Sequence, residues 1–306
     1  MTPLDTNNNV AKPVEYHALL HEMLRSFTTL ARTLNLSHAV KELGSTRQTL
    51  RRHITQLEEA RGEPLFHVED RQYQLTEAGE NALPEALEIL ARGNSWLNAT
   101  VNHHSGLQRL TTSLPSGWSL DQQQRPLSDI WESDSLIMRE TFRAWVMSCG
   151  NIEDEAIAHV RPYLIVYRYS GDRWICVEFG EKSFYVKWFG WAKSRSSIGQ
   201  PMASMPGGED FARMIEQPYH EVQVTKSARL DHVATQMPQE IGGLPRPVSY
   251  HRLLLGGQFP DGSSALFGLA EPTDKINIPG LDPGKIVTPT PDIVVEFDKK
   301  DAKFEL

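Results

Sequence analysis

The chain has 306 residues, of which 40% are hydrophobic and 23% charged, and its formal net charge is −8. This length suffices for two domains. The acidic balance excludes a protein that binds nucleic acid over its whole surface, so DNA affinity would have to come from a local basic patch. Cys149 and Cys176 form no closely spaced metal or redox motif. The amino terminus is too polar for a signal peptide, and no stretch approaches the roughly 18–20 apolar residues of a membrane span. We therefore expect a cytoplasmic protein.

The chain is predicted to begin with a disordered polar tail over residues 1–13. An amphipathic helix follows over residues 16–33, where large apolar residues recur at helical spacing. His17, His21 and His38 have no second ligand at the spacing that metal sites require. We interpret these histidines as surface residues and predict no metal site.

Residues 37–80 show the pattern of two helices and a hairpin. A short helix and a Gly-Ser break are followed by a second helix from about residue 46 to 60, with Gly62 as its C-cap. Two short apolar runs, residues 65–68 and 73–75, are joined by polar residues and predict a hairpin, or wing. This order is a winged helix-turn-helix, in which the second helix enters the major groove of DNA.

The second helix has an apolar face and an opposite face that is rich in arginine. The apolar face consists of Leu50, Ile54 and Leu57, and the polar face consists of Arg47 at its flank, Gln48, Arg51, Arg52 and Thr55. Arginines near a helix N-terminus oppose the backbone dipole by about 0.3–1 kcal/mol each. Glu58 and Glu59, near the C-terminal end, are also placed unfavourably. A docked nucleic acid would explain the arginines, because arginine reads guanine edges and glutamine reads adenine.

Two other interpretations of this face remain open. It could be a solvated surface that happens to contain several arginines. Ser45 and Gln48 also fit a capping box, which would give Gln48 a purely structural role at the start of the helix.

A set of spaced positions carries a family resemblance. These are Ala39, Val40, Leu43, Thr46, Leu50, Ile54, Leu57-Glu58, Gly62, Leu65-Phe66, Arg71 and Leu75-Thr76-Glu77-Ala78-Gly79. Without a gap, this pattern resembles the N-terminal domain of LysR-type transcriptional regulators, and the resemblance covers roughly residues 16–105. The sequence departs from the family at three positions: Thr46 replaces a usual serine, Gln48 a common proline, and Val68 a usual arginine. The last departure removes an expected phosphate contact from the wing.

The resemblance and the arginine-rich face together predict the residues that contact DNA. We expect contacts from Ser37, Thr46, Arg47, Gln48, Arg51, Arg52, Thr55 and Arg71.

A further helix is expected over residues 81–105, although Gly93 and Asn94 weaken its middle. In the LysR-type family this is the long linker helix that dimerises the DNA-binding heads. The apolar residues that would form the dimer interface are Leu83, Leu87, Leu90, Trp96, Leu97 and Val101. A dimer implies a pseudo-palindromic DNA site. The alternative is a helix packed within one domain.

Beyond the linker helix the resemblance stops, because the family's effector domain of two alternating β-α-β lobes is not visible. Residues 106–134 have the composition of a connector. Residues 135–272 then show one long helix pattern, strand patterns and short helices. The strand patterns lie at residues 161–169, 174–179, 184–189, 221–225, 247–255 and 264–270, and the short helices around 210–216.

This order is similar to that of bacterial PAS-like sensor domains, although other small antiparallel α+β folds would produce it too. The predicted fold class is therefore multidomain: an all-α winged helix-turn-helix with a long linker helix, then an α+β PAS-like domain with an antiparallel sheet.

A PAS-like fold would place a pocket under its helices. The residues that could line it are Trp188, Trp191, Phe211, Met214 and Tyr219, which could equally be ordinary core. No motif selects His220, His232 or His251 as a haem ligand, and Cys176 lacks the context of a flavin photosensor, so we predict no cofactor. Catalytic motifs are absent from the sequence, and we predict that the protein is not an enzyme.

The tail, residues 273–306, is rich in proline and glycine and has a strand-like run at residues 293–297. It could be extended and packed against a partner subunit, or flexible.

Two functions are compatible with these observations. The first is a bacterial-type, sequence-specific transcriptional regulator. It would bind double-stranded DNA as a homodimer or possible tetramer, and its C-terminal domain would sense a small-molecule or protein effector or mediate assembly. The alternative is an adaptor, in which the winged helix and the C-terminal domain bind protein partners. The arginine-rich face favours the first.

Overall fold

A computed structural model of the protein describes residues 18–69, 72–97, 101–113, 119–170, 173–205, 208–237, 239 and 243–304. Within some of these ranges, the side chains of residues 95, 101, 102, 210, 211, 213 and 214 are left undescribed. The chain divides into two compact units, residues 1–83 and 84–306. Among the described residues, no helix combines the length and the apolarity needed to cross a membrane.

The first unit is a three-helix domain with a two-stranded wing. Its elements are α1 (Leu20–Thr33), α2 (Leu36–Leu43), α3 (Arg47–Arg61), β1 (Phe66–Glu69) and β2 (Gln72–Leu75). Helix α4 (Glu77–Leu97) begins here and ends in the second unit. The helices bury Met23, Phe27 and Leu30 of α1 together with Leu50 of α3. The predicted winged helix-turn-helix is confirmed.

The turn between α2 and α3 is built from caps. Gly44 has φ of 59°, a left-handed conformation that glycine adopts without strain. The backbone N–H of Ser45 donates to Val40 O at 3.1 Å, which closes the end of α2. The cap of α3 is therefore Thr46, whose Oγ1 accepts from Thr49 N at 3.1 Å. The alternative for Gln48, a capping box with Ser45, is not formed, because the cap residue is Thr46.

The predicted linker helix is shorter than expected. Helix α4 ends at Leu97, and Val101–His104 is strand β3, paired with β4 (Leu107–Ser113). The two residues between these strands, Ser105 and Gly106, both have positive φ, which suits a two-residue hairpin turn. This hairpin turn is the physical reason that helical structure does not continue to residue 105.

The second unit contains one eight-stranded antiparallel sheet. After β3 and β4, its strands are β5 (Ser119–Arg125), β6 (Ile165–Ser170), β7 (Arg173–Phe179), β8 (Ala228–Met237), β9 (Arg246–Gln258) and β10 (Ser264–Pro272). Their order across the sheet is β3-β4-β5-β8-β9-β10-β6-β7. The helical domain followed by an antiparallel α/β domain agrees with the coarse prediction from the sequence.

The prediction that residues 106–134 form a connector is wrong, because these residues include strands β4 and β5. Gln122 and Gln123 of β5 are buried despite their polarity. Gln122 Nε2 donates to Asp231 Oδ1 at 3.1 Å, and Gln123 Nε2 donates to Gln108 O at 3.3 Å. Buried polar groups are tolerated when they are hydrogen-bonded. Because β5 contains polar residues at its buried positions, alternation of apolar residues does not predict this strand.

In the described part of the second unit, the sheet is accompanied by the end of α4 and by α5 (Asp129–Glu132), α6 (Leu136–Met147), α7 (Phe184–Phe189), α8 (Trp191–Ser196) and α9 (Gly208–Thr225). Residues 184–189 were expected to form a strand but form α7, because Ser183 caps the helix by accepting from Val186 N. Residues 221–225, also expected to form a strand, are the last turns of α9. Helices α7 and α9 line one face of the sheet, where Phe184 packs against Tyr250. The loop between α5 and α6 borders the other face.

The carboxyl-terminal segment packs on the second unit of its own chain. Ser249 Oγ donates to Thr273 O at 2.7 Å, and Lys285 Nζ lies 2.8 Å from Asp121 Oδ2. Ile293 and Val295 are buried. Residues 293–297 contain no strand. The tail is thus neither detached from its domain nor a regular strand.

Candidate nucleic-acid interface

Helix α3 is held in place by its buried face. Leu50, Ile54 and Leu57 are buried as the sequence predicted. His53 is buried too, and its Nδ1 lies 2.8 Å from Ser26 Oγ of α1. His53 is a polar residue and was not expected on this face, although its spacing from Leu50 and Leu57 follows the same helical periodicity.

The opposite face of α3 is exposed to solvent. Its exposed residues are Arg47, Gln48, Arg51, Arg52 and Thr55. Among the other predicted contacts, Thr46 and Ser37 are also exposed. Arg71 lies outside the described residues.

Two of the predicted contact residues lie side by side. Arg47 Nη2 donates to Ser37 Oγ at 2.8 Å, which brings the first turns of α2 and α3 together. Thr46 has a structural role at the same point, because its hydroxyl caps α3. The start of α3 therefore presents a hydroxyl and a guanidinium at one end of the polar face.

The hydrogen bonds of Glu58 explain why this acidic residue lies near the C-terminal end of α3. Its Oε1 accepts from the backbone N–H groups of Leu65 at 2.8 Å and Phe66 at 3.1 Å. Charge-assisted bonds of this kind are stronger than neutral ones. They fix the start of the wing to the last turns of α3 and outweigh the unfavourable dipole interaction noted from the sequence.

The base of the wing is locked from the other side as well. Thr76 Oγ1 donates to Pro64 O at 2.7 Å and accepts from Gly79 N at 3.0 Å. A Cβ atom added at Gly79 would lie 2.1 Å from Leu65 O, so only glycine fits there without backbone movement. The Leu-Thr-x-Ala-Gly run of the sequence thus joins the wing to α4.

The wing itself is a short hairpin with little charge on its described residues. Phe66 pairs with Leu75 across the hairpin and packs edge-on against Phe27 at 5.6 Å. His67 Nε2 lies 3.0 Å from Gln74 Oε1. Val68, where the family usually has arginine, is 60% exposed and offers no cation to a phosphate.

The residues predicted for a dimer interface differ in how exposed they are. Leu83, Leu87 and Leu90 are half-buried, whereas Trp96 and Leu97 are exposed. Val101 lies in β3 rather than on the helix, and its side chain is not described. Ile89, which was not among the predicted interface residues, is also exposed.

Only some of the residues predicted for a pocket lie at or next to a cavity. Tyr219 lines an apolar cavity of about 90 Å³. Trp188 is buried and packs on Phe184, which lines the same cavity. Trp191 is 63% exposed, which corrects its assignment to a pocket. The side chains of Phe211 and Met214 are not described. In the described part of the chain, no three histidine, cysteine or acidic residues are grouped so as to hold a metal ion.

The geometry of the first unit is that of a winged helix-turn-helix, with a buried stripe, an exposed helix face and a two-stranded wing. Residues 21–80 match the family model described as bacterial regulatory helix-turn-helix protein, lysR family. These residues are therefore a LysR-family helix-turn-helix domain.

Known proteins match over a limited part of the chain. The HTH-type transcriptional regulator BudR of Klebsiella aerogenes is 40% identical over 84 residues, which are 28% of this chain and 59% of that protein. The regulator IlvR of Caulobacter vibrioides is 42% identical over 67 residues, covering 22% of this chain and 23% of IlvR. A solved complex of the CbnR DNA-binding domain with DNA is 28% identical and covers 26% of this chain and 94% of that one, with a TM-score of 0.24. The matched relatives are regulators and not enzymes, as expected.

Proposed function

We propose that the chain is a sequence-specific DNA-binding transcriptional regulator in which α3 lies in the major groove. The observation that carries this proposal is the face of α3 on which Arg47, Gln48, Arg51 and Arg52 are exposed opposite a buried apolar face. A helix that is fixed on one side and exposed with arginines on the other suits insertion into a groove. The LysR-family assignment of residues 21–80 supports the same function.

The placement of charge on α3 supports an anionic partner. Glu58 is accounted for by its bonds to the wing, but three arginines near the helix start still oppose the backbone dipole. Phosphate or base-edge acceptors would remove that penalty. We assign Gln48, Arg51 and Arg52 to base edges, because these residue types make paired contacts with adenine and guanine. The remaining proposed contacts, to the sugar-phosphate backbone, come from Ser37, Thr46, Arg47, Thr55 and Arg71.

The proposed functional form is a homodimer or a higher oligomer that binds a pseudo-palindromic site. Ile89, Trp96 and Leu97 leave large apolar surface of α4 exposed, which a second copy would cover. Two-fold symmetry of the protein requires two half-sites in the DNA, one or more helical turns apart.

The proposed role of the second unit is that of a PAS-like domain that senses an effector or mediates assembly. Its β6–β7 hairpin is followed by helices and then by three antiparallel strands, the last of which returns to pair with β6. The PAS-like expectation rests on two strands, short helices and a final antiparallel pair, and the observed order adds one strand, β8, before that pair. An effector that binds two arrangements of the dimer unequally would shift the population between them and alter DNA binding.

The test of this function is the DNA affinity of the double variant Arg51→Ala with Arg52→Ala. DNA selected by the wild-type chain serves as the probe, together with unrelated DNA of the same length. We expect a loss of about 1–3 kcal/mol for each base contact removed, and a smaller loss on unrelated DNA. Fluorescence anisotropy at fixed salt measures both affinities.

The matched control is Arg25→Ala with Arg61→Ala, which removes the same charge from the same unit. Each of these arginines pairs with a neighbouring glutamate, Glu22 and Glu63 respectively, away from the start of α3. The control should keep its preference for the selected DNA. If both double variants lose affinity equally on both DNAs, α3 does not read sequence, and the adaptor function becomes the better account.

A further inference from the structure

A small apolar cavity lies between the sheet and helices α7 and α9 of the second unit. Its volume is about 90 Å³. Among the described residues, its lining consists of aromatic, aliphatic and methionine side chains and one cation, Arg252. It includes Tyr167, Phe184, Met205, Tyr219, Tyr250 and Arg252. A polar group in such surroundings is informative, because burial without a hydrogen bond is unfavourable.

Arg252 has a donor that is not used. The residue is only 5% exposed. Its Nη2 donates to Asp231 Oδ2 at 2.9 Å and to Gln122 Oε1 at 2.7 Å. Its Nε is buried and has no hydrogen-bond partner among the described residues. A buried donor left in this state costs about 1–3 kcal/mol, so an acceptor placed beside Nε would be stabilised.

The charges around Arg252 are already balanced. Asp231 also accepts from Arg229 Nε at 2.9 Å, and Arg229 Nη1 donates to Glu221 Oε2 at 2.7 Å. Two arginines and two carboxylates therefore form one neutral network. Burial alone would raise the pKa of Asp231, but Arg229 and Arg252 outweigh burial and hold that pKa below its usual value.

The tyrosines of the cavity do not alter this balance. Burial raises the pKa values of Tyr185 and Tyr250 to about 12, and it raises the pKa values of Tyr167 and Tyr219 as well. All four phenols are consequently uncharged at neutral pH. A charged molecule in the cavity would find no free counter-charge among the described lining residues, and an unpaired buried charge is far more costly than an unpaired polar group.

We infer that this cavity binds a small, uncharged and mostly apolar molecule whose single carbonyl-type oxygen accepts a hydrogen bond from Arg252 Nε. A cavity of about 150 Å³ accommodates benzene, so the present volume suits a molecule of about four or five non-hydrogen atoms. Met202, Met205 and Met237 line the cavity, and methionine adapts readily to irregular shapes. Only a role for this molecule as an effector of DNA binding rests on the proposed function. Its binding in the cavity does not depend on that function.

The experiment uses the purified full-length chain, without DNA, with its methionine methyl groups labelled with ¹³C for NMR. Three probes of similar shape and of about five non-hydrogen atoms are titrated: 2-butanone, 2-methyl-1-butene, which lacks the oxygen, and propionate, which is charged. We expect 2-butanone to shift the methyl signals of Met202, Met205 and Met237 saturably. Its dissociation constant should be at least about tenfold lower than those of the other two probes, which is about 1.4 kcal/mol.

A cavity-filling variant provides a second measurement. Ala270 lines the cavity from β10, and Ala270→Leu should abolish the shifts. Ala192→Leu makes the same change at an exposed position of α8 and should leave them intact. The inference is overturned if no probe gives saturable shifts in the wild-type chain, or if propionate or the alkene binds as tightly as 2-butanone. Neither result depends on DNA binding, so the failure of this inference and that of the proposed function are distinguishable.

Discussion

His232 and His251 lie face to face on neighbouring strands, with ring centroids 4.3 Å apart. Both are nearly buried and both hold the carboxyl-terminal segment: His251 Nε2 donates to Lys275 O, and Asn277 N donates to His232 Nδ1, each at 2.8 Å. This arrangement favours uncharged imidazoles, because protonation of both rings would bring two cations together, and protonation of His232 Nδ1 would remove the acceptor from Asn277.

This arrangement predicts that the stability of the second unit depends on pH. Burial first, and then His251 and Arg125, lower the pKa of His232 from 6.5 to about 3, although Asp231 opposes this. Between those values the unfolded chain binds a proton that the folded chain does not. The free energy of unfolding is therefore highest above about pH 6.5 and falls as the pH decreases, by up to about 1.4 kcal/mol per pH unit for each such histidine.

The variant His232→Gln should show a shallower loss of stability between pH 6.5 and 4.5 than the wild type. Urea unfolding monitored by tryptophan fluorescence measures this, because all seven tryptophans lie in residues 84–306. His104→Gln, at an exposed histidine, is the control and should keep the wild-type slope. An unchanged slope in His232→Gln would contradict the proposed role of this histidine.

At the scale of elements, α3 and the wing are joined through one carboxylate. Replacing Glu58 by alanine would leave the N–H groups of Leu65 and Phe66 without their acceptor. We expect the wing to loosen and the first unit to lose about 1–3 kcal/mol of stability. Hydrogen–deuterium exchange of peptides from β1 and β2 measures the effect. The control, Glu59→Ala, removes the same charge from the neighbouring exposed position, and its wing amides should exchange as slowly as those of the wild type. Equal exchange rates of the wing amides in the two variants would show that the Glu58 carboxylate does not anchor the wing.

The elements of the first unit were predictable because their signals are local. Asn35, Gly44, Thr46 and Gly62 mark helix ends by capping chemistry, and the spacing of Leu50, Ile54 and Leu57 sets the buried face. The exposed arginines of the candidate interface followed from the same periodicity. What the sequence did not reveal was how Glu58 and His53 are used, since both depend on residues of other elements.

The strands of the second unit were harder to predict for a related reason. Strand β8 was missed because it contains Arg229, Asp231, His232 and Thr235, all of which are buried. Their burial is stabilised by partners in β5, β9, α9 and the carboxyl-terminal segment. Such long-range pairing leaves no apolar alternation in the sequence. Residues 184–189 show the opposite error, since aromatic residues that favour strands form a helix behind the Ser183 cap.

At the scale of the whole molecule, the chain has a net charge of −8 and an arginine-rich helix face. Non-specific attraction to DNA is weakened by that overall charge, so occupancy of a site must come from base contacts and from the pairing of two half-sites. The proposal therefore requires specificity and symmetry together.

The most direct test is to recover DNA bound by the purified full-length chain from fragmented genomic DNA. The selection is made at near-physiological salt and repeated at higher salt. The account predicts a recurring two-fold-symmetric motif that survives the salt step, because base contacts are less sensitive to salt than phosphate contacts. Recovery of DNA without a motif, lost as the salt concentration rises, would contradict it and would direct attention to protein partners.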